Sequence, residues 1–279
     1  MDDITAAELV RLAEAAGEKI LEIYDTDFEV DHKEDESPLT KADLAAHEVL
    51  QAGLKQLTPD IPILSEESVP PSFEVRKTWS SYWLVDPLDG TKEFVNRNGE
   101  FTVNLALIRD GAPAIGVVGV PVQQQVYFGD VGRGLAVRFE RRGQDLDEAP
   151  LHTRTMQDRN TLKVVASRSH GGAELETFFA GLAEKYPEIE RTSVGSSLKL
   201  CILAAGEADL YPRIGPTSEW DIAAAHAVLT AAGGEVFTGT GAPLRYNGKA
   251  SLLNPDFVAV ADSRFDWLAQ LPEISTTVR

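Results

Sequence analysis

The pattern of apolar and polar residues predicts two helices near the N-terminus. Thr5 and Glu8 have the spacing of a capping box. Apolar residues then recur at helical spacing, at Leu9, Leu12, Ala16, Ile20 and Ile23. A second helix is predicted to start after residues 38–40, with Thr40 and Asp43 in its first turn. Taken alone, that pair is explained by a second capping interaction.

Short apolar segments in the middle of the chain predict an antiparallel sheet. Residues 61–64 and 82–85 have the composition of buried strands, and acidic residues follow each of them. Further strands, joined first by a turn at 110–111, are predicted at 101–108, 114–120, 125–128 and 135–139. The polar residues 141–150 are predicted to separate an N-terminal lobe, 1–150, from a C-terminal lobe, 151–279.

The second half of the chain alternates between strand-like and helix-like patterns. Strands are predicted at 162–166, 191–194, 209–211, 235–237 and 257–260. Helices are predicted at 173–185, 196–205 and 220–232, and Gly233 and Gly234 cap the last of them. The whole chain is therefore predicted to combine α+β and α/β features in its two lobes.

The acidic composition disfavours two classes of partner. With 44 Asp and Glu against 26 Lys and Arg, the formal net charge of −18 disfavours nucleic acid and anionic membranes. An anionic small substrate then requires bound cations or local Lys and Arg. The single cysteine, Cys201, is interpreted as a helix core residue. The start of the sequence lacks the features of a signal peptide, and no apolar run has the ~20 residues that a membrane span needs, so we expect a cytoplasmic protein.

Candidate chemistry is concentrated at residues 83–94, where an apolar strand breaks into carboxylates and a glycine. Asp86 and Asp89 fit the ligands of a metal ion, and the backbone amides of Gly90 and Thr91 fit a phosphate at the start of a helix. The alternative is plain turn chemistry, because Asp-Gly is a common turn and Asp-Pro a common end of a strand. The stretch alone does not decide between them.

Four carboxylates, those of Glu66, Asp86, Asp89 and Asp221, stand where an apolar element begins or ends. If they converge, they repel each other unless cations neutralise them, and hard divalent ions such as Mg²⁺ suit such a cluster. Glu66 could instead be a surface residue, and Asp221 could simply cap a helix. An EF-hand, a Walker A loop and a zinc site are each excluded by spacing. His170 follows a strand and could face a substrate.

Residues 83–94 together with 98–104 resemble the metal motif of the inositol monophosphatase superfamily. The other motifs agree in order, with residues 64–67 similar to the upstream glutamate motif, 220–224 to the downstream aspartate motif and 38–43 to the early threonine and aspartate motif. Residues 167–170, 195–199 and 210–217 are most similar to the 3'(2'),5'-bisphosphate nucleotidases of the CysQ type. A departure is Ile222, where relatives often have Thr or Val.

The resemblance implies a layered αβαβα sugar-phosphatase fold and Mg²⁺-dependent hydrolysis of a phosphate monoester. The implied substrate is adenosine 3',5'-bisphosphate, which loses its 3'-phosphate to leave AMP, with 3'-phosphoadenylyl sulfate as a second substrate. Sensitivity to lithium, a role in sulfur assimilation and peripheral association with the inner membrane belong to the same family pattern. Two or three Mg²⁺ ions would be held by Glu66, Asp86, Asp89, Asp221 and the Leu88 carbonyl. Thr91 Oγ, paired to Asp43, would help to activate the attacking water.

The predicted substrate contacts include residues beyond the metal ligands. The metal ligands Glu66, Leu88, Asp89 and Asp221 would also contact the substrate, together with Gly90, Thr91, Gly195 and Ser196. Lys199 and Arg213 are predicted to bind the second phosphate, with Arg168 and His170 behind them.

Two other functions are weighed against the nucleotidase. One is a phosphatase of inositol phosphates or other sugar phosphates, and the other is a non-catalytic, metal-dependent sensor of phosphorylated nucleotides. The pair of Thr91 and Asp43 argues against a sensor, because binding alone does not require a proton acceptor. The sequence carries no prediction of an oligomeric state.

Overall fold

The computed structural model describes residues 5–27, 30–32, 38–156, 161–167 and 172–272. Its helices are α1 (Ala6–Tyr24), α2 (Lys41–Leu57), α3 (Phe73–Arg76), α4 (Thr91–Val95), α5 (Ala173–Ala183), α6 (Leu198–Ala204), α7 (Glu219–Ala232) and α8 (Trp267–Gln270). A 3₁₀ turn covers Pro121–Gln123. Among the described residues, no helix has the length and apolar character required to cross a bilayer.

The strands fall into three sheets. A small antiparallel pair consists of β1 (Val30–His32) and β2 (Pro38–Thr40). The largest sheet contains β3 (Ile63–Ser65), β4 (Ser81–Asp89), β5 (Thr102–Arg109), β6 (Ala112–Val120), β7 (Gln125–Asp130), β8 (Leu135–Arg142) and β9 (Asp145–Pro150). The remaining sheet contains β10 (Thr161–Ser167), β11 (Glu188–Val194), β12 (Leu210–Arg213), β13 (Glu235–Thr238) and β14 (Phe257–Val260).

Neighbours in the seven-stranded sheet follow the chain order, and only β3 and β4 run parallel to each other. The five-stranded sheet has the order β11-β10-β12-β14-β13. In it β10 is parallel to β11 and β12, while β14 is antiparallel to β12 and β13. The first half is therefore a meander and the second half is a mixed sheet.

Strand periodicity explains how the sheets and helices stack. Trp83 and Val85 point to the face of the large sheet that α1 and α2 cover, and Leu84 points to the opposite face, where α6 and α7 pack. The five-stranded sheet lies beyond α6 and α7, and α5 packs on its far face. The order of layers is thus helix, sheet, helix, sheet, helix, and the predicted αβαβα arrangement is confirmed.

One expectation about the large sheet was wrong, and one of its strands was not recognised. The strand predicted to end at Val85 continues to Asp89, with a register irregularity against β5 between Asp86 and Asp89. The polar residues 141–150, predicted as a boundary segment, form the end of β8 and the edge strand β9. An edge strand can be polar on both faces, which hides it from a search for apolar alternation. The division of the chain into lobes at 150 and 151 stays a prediction, and α6 and α7 of the second half pack on the sheet of the first.

The sandwich depends on a close approach between α7 and the large sheet. A Cβ atom added at Gly116 on β6 would lie 2.0 Å from the Ala224 carbonyl oxygen, and one at Gly129 on β7 would lie 2.5 Å from Val228 Cα. Both clashes are with the backbone of a helix, which cannot move aside as a flexible side chain can.

We expect Gly116→Ala to destabilise the protein by about 3 kcal/mol, because the added methyl group pushes α7 away from the sheet. Chemical denaturation followed by circular dichroism measures the change. Gly132→Ala is the matched control, since a Cβ there would meet only Asp130 Oδ1, at 3.5 Å. Equal stabilities of the two variants would show that the contact between α7 and β6 is not tight.

Candidate active site

The end of β4 carries two aspartates into a tight turn. Asp86 is buried, and its Oδ1 accepts a hydrogen bond of 3.0 Å from the Leu88 amide. Gly90 has a φ of 90°, and a Cβ atom there would approach the Glu100 carbonyl and the Ser196 side chain at 3.2 and 3.3 Å. Glycine suits this position for both reasons, and α4 begins directly after it.

Glu66 reaches the same place from the neighbouring strand. It follows β3, which runs parallel to β4, and its amide donates to the Val85 carbonyl at 3.1 Å. Asp221 arrives from the opposite layer, in the first turn of α7, where its Oδ2 accepts from the Ser218 amide at 2.9 Å. The capping role considered for Asp221 is therefore formed, and its other oxygen is not committed to that bond.

A cavity of about 400 Å³ lies where these elements meet. Its lining includes the predicted residues Glu66, Asp86, Leu88, Asp89, Gly90, Thr91, Gly195, Ser196, Lys199, Arg213 and Asp221. Arg168 and His170 lie outside the described residues. Tyr211, Pro216, Trp220 and Leu253 add an apolar wall to the cavity. The first three lie in segments that resemble family motifs, but none of the four was predicted as a contact residue.

The carboxylates perturb one another. Burial and then the charges of Glu66, Asp89 and Asp221 raise the pKa of Asp86 well above its usual value. Burial, followed by Asp89 and Glu66, does the same for the pKa of Asp221. Burial raises the pKa of Asp89 to about 6, although Lys199 and the Ser197 amide oppose the shift. Keeping such carboxylates ionised and close together costs free energy, and bound protons or cations reduce that cost.

The donor set fits a hard divalent cation. Its candidate ligands are carboxylate oxygens and the Leu88 carbonyl, all of them oxygen donors as Mg²⁺ prefers. Within the described ranges, no three acidic, histidine or cysteine side chains are grouped closely enough to hold an ion in their present positions. One or two carboxylates with the Leu88 carbonyl are enough for Mg²⁺, because this ion usually keeps several water ligands.

Asp43 lies at the edge of the site and makes both of the contacts considered for it. Its Oδ2 accepts from the Thr40 amide at 2.8 Å and from Thr40 Oγ1 at 2.7 Å, which closes a capping box on α2. Its Oδ1 accepts from Thr91 Oγ1 at 3.3 Å. The capping interpretation and the proton-acceptor interpretation thus use different oxygens of one carboxylate.

Two buried cations also line the cavity. The Lys199 ammonium donates to the Ser196 carbonyl at 2.7 Å, and burial lowers its pKa to about 8 despite the nearby Asp89. Arg213 donates through Nη2 to the Pro216 carbonyl. Its buried Nε has no hydrogen-bond partner within the part of the chain that the structure describes. An anionic group in the cavity would meet both side chains.

A network that the sequence did not predict holds the loop before α6. The Ser197 amide donates to Asp89 Oδ2 at 2.5 Å, and Ser197 Oγ contacts Asn104 Oδ1 and Thr102 Oγ1 at 2.7 and 2.9 Å. Glu100 fixes the same loop by accepting from the Gly195 amide at 2.6 Å. The paired residues are 93 to 108 positions apart, so no local pattern signals them.

Comparison with known proteins decides the family. The model of the inositol monophosphatase family matches residues 2–271. The chain belongs to this family. It is 48% identical over 252 residues to the 3'(2'),5'-bisphosphate nucleotidase CysQ of Escherichia coli K12, covering 90% of this chain and 97% of the relative. It is 40% identical to the CysQ of Buchnera aphidicola, covering 91% and 92%.

Solved structures of family members have the same fold. The crystal structure of CysQ from Bacteroides thetaiotaomicron is similar with a TM-score of 0.80 and 41% identity, covering 94% of this chain and 99% of the other. An inositol monophosphatase from Anabaena has a TM-score of 0.69 and 23% identity, covering 96% of each chain, and supports the fold alone. The resemblance noted in the motifs is confirmed at the level of the family.

The raised pKa values make cation binding depend on pH. In the metal-free protein, Asp86, Asp89 and Asp221 bind protons more tightly when folded than when unfolded, which stabilises the fold at low pH. The contribution of Asp89 is lost as the pH rises through its pKa of about 6. We therefore expect Mg²⁺ to raise the melting temperature at about pH 8 and to have little effect at about pH 5, where protons occupy the site.

Scanning calorimetry with and without Mg²⁺, at constant ionic strength, checks this expectation. Burial lowers the pKa of His226 to about 3 and raises that of Glu219 to about 7, so both groups also make the stability depend on pH between 5 and 8. Their contributions are the same with and without Mg²⁺, so they cancel in the change of melting temperature that Mg²⁺ causes at each pH. An equal Mg²⁺ effect at both pH values would contradict the carboxylate site.

Proposed function

We propose that the protein is a Mg²⁺-dependent 3'(2'),5'-bisphosphate nucleotidase that removes the 3'-phosphate of adenosine 3',5'-bisphosphate and leaves AMP. The observation that carries the proposal is one cavity that joins a carboxylate cluster to two buried cations, Lys199 and Arg213. The bacterial relatives, which are 48% and 40% identical and are named 3'(2'),5'-bisphosphate nucleotidase CysQ, support a bisphosphate nucleotide as the substrate. 3'-Phosphoadenylyl sulfate has the same 3'-phosphate and is a second candidate.

Glu66, Asp86, Asp89, Asp221 and the Leu88 carbonyl are the proposed ligands of two or three Mg²⁺ ions. When bound, Mg²⁺ lowers the pKa of water and stabilises negative charge on the leaving oxygen. The Ser197 amide holds one oxygen of Asp89, and the Ser218 amide holds one oxygen of Asp221. These two bonds orient the carboxylates and leave an oxygen of each for the cavity.

Thr91 and Asp43 are proposed to move the proton of the attacking water. Thr91 Oγ1 donates to Asp43 Oδ1 at 3.3 Å and lies 3.4 Å from the Leu88 carbonyl oxygen. A hydroxyl that donates to a carboxylate can accept a proton from water while it passes its own proton on. Asp43 is buried and held by Thr40, so the acceptor stays in place.

The two cations favour a bisphosphate over a monophosphate. The phosphate that is cleaved lies with the carboxylates and amides, where Gly90, Thr91, Gly195 and Ser196 line the cavity. Lys199 and Arg213 each hold one backbone carbonyl and have further N–H donors with which to pair with the second phosphate. Inositol monophosphate has no second phosphate and would leave a buried cation unmatched, which is costly.

A side-by-side assay separates the candidate functions. With Mg²⁺ present, we expect kcat/KM for adenosine 3',5'-bisphosphate to be at least about tenfold higher than for inositol 1-phosphate, because one charged hydrogen bond contributes about 1.5–3 kcal/mol. Released phosphate is measured, and AMP is identified by chromatography. Li⁺ is expected to inhibit.

Adenosine 3'-monophosphate is the matched control substrate, since it lacks only the 5'-phosphate. A higher rate with inositol 1-phosphate would favour a phosphatase of sugar phosphates. Tight binding of the bisphosphate without release of phosphate would favour the sensor.

The proton path is tested by a matched pair of substitutions. Thr91→Val keeps the shape of the side chain but removes the hydroxyl, and we expect it to lower kcat by ~10² or more. Thr91→Ser keeps the hydroxyl and should retain most of the activity. Asp43→Asn should lower kcat to a similar degree, while calorimetric titration shows that Mg²⁺ still binds.

Because Asp43 also caps α2, the melting temperature of Asp43→Asn must be measured beside its rate. A folded Asp43→Asn or Thr91→Val protein with normal turnover would rule out the proton path.

A further inference from the structure

A buried polar network joins α3 to residues 247–250 and to the start of α7. Its centre is Arg76, the last residue of α3, which is only 2% exposed. The guanidinium donates to Asn247 Oδ1 and to the carbonyl oxygens of Lys249 and Ala250, and it lies over the Phe73 ring at 5.0 Å. One rigid side chain thus holds three acceptors of residues 247–250, which lie outside the named helices and strands.

The same segment is fastened to the start of α7. The backbone amide of Asn247 donates to both carboxylate oxygens of Glu219, at 3.0 and 2.9 Å. The side-chain amide of Asn247 donates through Nδ2 to the Arg76 carbonyl at 2.6 Å. The Glu219 amide in turn donates to the Leu252 carbonyl at 2.8 Å. Asn247 has a φ of 56°, in the left-handed region, and in this conformation it contacts both Glu219 and Arg76.

The first turn of α7 is what this network supports. Asn254 Nδ2 donates to the Ser218 carbonyl at 2.7 Å, and the Ser218 amide holds Asp221 Oδ2 at 2.9 Å. Trp220 lies between Ser218 and Asp221 in the chain, and Leu253 forms an isolated β-bridge with Ser218. Trp220, Asp221 and Leu253 all line the cavity. A shift of this turn would therefore move a candidate metal ligand and part of the apolar wall together.

We propose that Arg76 is a positioning residue, which acts through Asn247 and Glu219 to hold the first turn of α7 and thereby sets the affinity of the site for Mg²⁺. Arg76 does not line the cavity. The inference deepens the proposed function and rests on it for the effect on turnover. Its effect on Mg²⁺ binding is measured with the metal alone and does not require a substrate.

Two substitutions remove different parts of the network. Arg76→Lys keeps the positive charge, but an ammonium cannot span the three acceptors that the guanidinium fork holds. Asn247→Gly keeps the left-handed backbone and the hydrogen bond from the backbone amide of residue 247 to Glu219. It removes the side chain that bonds Arg76. Arg154→Lys is the matched control, because Arg154 pairs with the buried Asp209 at 3.0 Å and does not line the cavity.

Calorimetric titration with Mg²⁺ is the first measurement. We expect both variants to raise the Kd for Mg²⁺ by roughly 3- to 10-fold, below the 10- to 100-fold typical of groups that bond a ligand directly. Hydrogen exchange should become faster at residues 217–222. The KM for the bisphosphate should rise, while kcat at saturating Mg²⁺ stays near that of the unaltered protein. The double variant should add little to the stronger single variant, since both act on one network.

Arg154→Lys should lower the melting temperature and leave the Kd for Mg²⁺ unchanged. If Asn247→Gly and Arg76→Lys behave in the same way, the network only stabilises the fold and the proposal is wrong. If Arg76→Lys does not fold, Asn247→Gly decides by the same criterion. An unaltered protein that binds Mg²⁺ but does not hydrolyse the bisphosphate refutes the proposed function alone, whereas one that does not bind Mg²⁺ refutes both.

Discussion

The repulsion among buried carboxylates is the constraint on which the rest of the site depends. Asp86, Asp89 and Asp221 each have a raised pKa, and each is raised partly by its acidic neighbours. A fold that buries such groups together loses stability unless protons, cations or hydrogen bonds offset the cost. The Leu88, Ser197 and Ser218 amides each bond one of these carboxylates. The remaining negative charge favours a cation in the cavity.

The layered architecture explains how carboxylates far apart in the chain meet. The parallel pair of β3 and β4 places Glu66 beside Asp86 at one edge of the large sheet. The helix α7 lies between the two sheets and presents Asp221 at its first turn. Its distance from the large sheet is set by Gly116 and Gly129, where the backbones nearly touch. The packing of α7 therefore controls the geometry of the site as well as the stability of the sandwich.

Much of this arrangement could be predicted from the sequence, because strands and helices leave periodic signals and the acidic residues stand at their ends. Asp86 and Asp221 were predicted in this way, and the family resemblance brought them together. The edge strand β9 was missed because it is polar, and the bonds of Ser197 to Asn104 and of Arg76 to Asn247 were missed because they join distant residues. Polar contacts between distant residues follow from the tertiary fold and have no local signature.

Asp43 shows that a structural role in capping a helix and a proposed role as a proton acceptor are compatible. Thr40 holds Oδ2 of this carboxylate with two hydrogen bonds, which fixes the rotation of the side chain. Oδ1 is thereby turned toward Thr91. A carboxylate that only capped the helix would need no partner on its second oxygen, and one that only accepted a proton would need something else to orient it. In this chain the helix cap supplies the orientation that the proposed proton transfer requires.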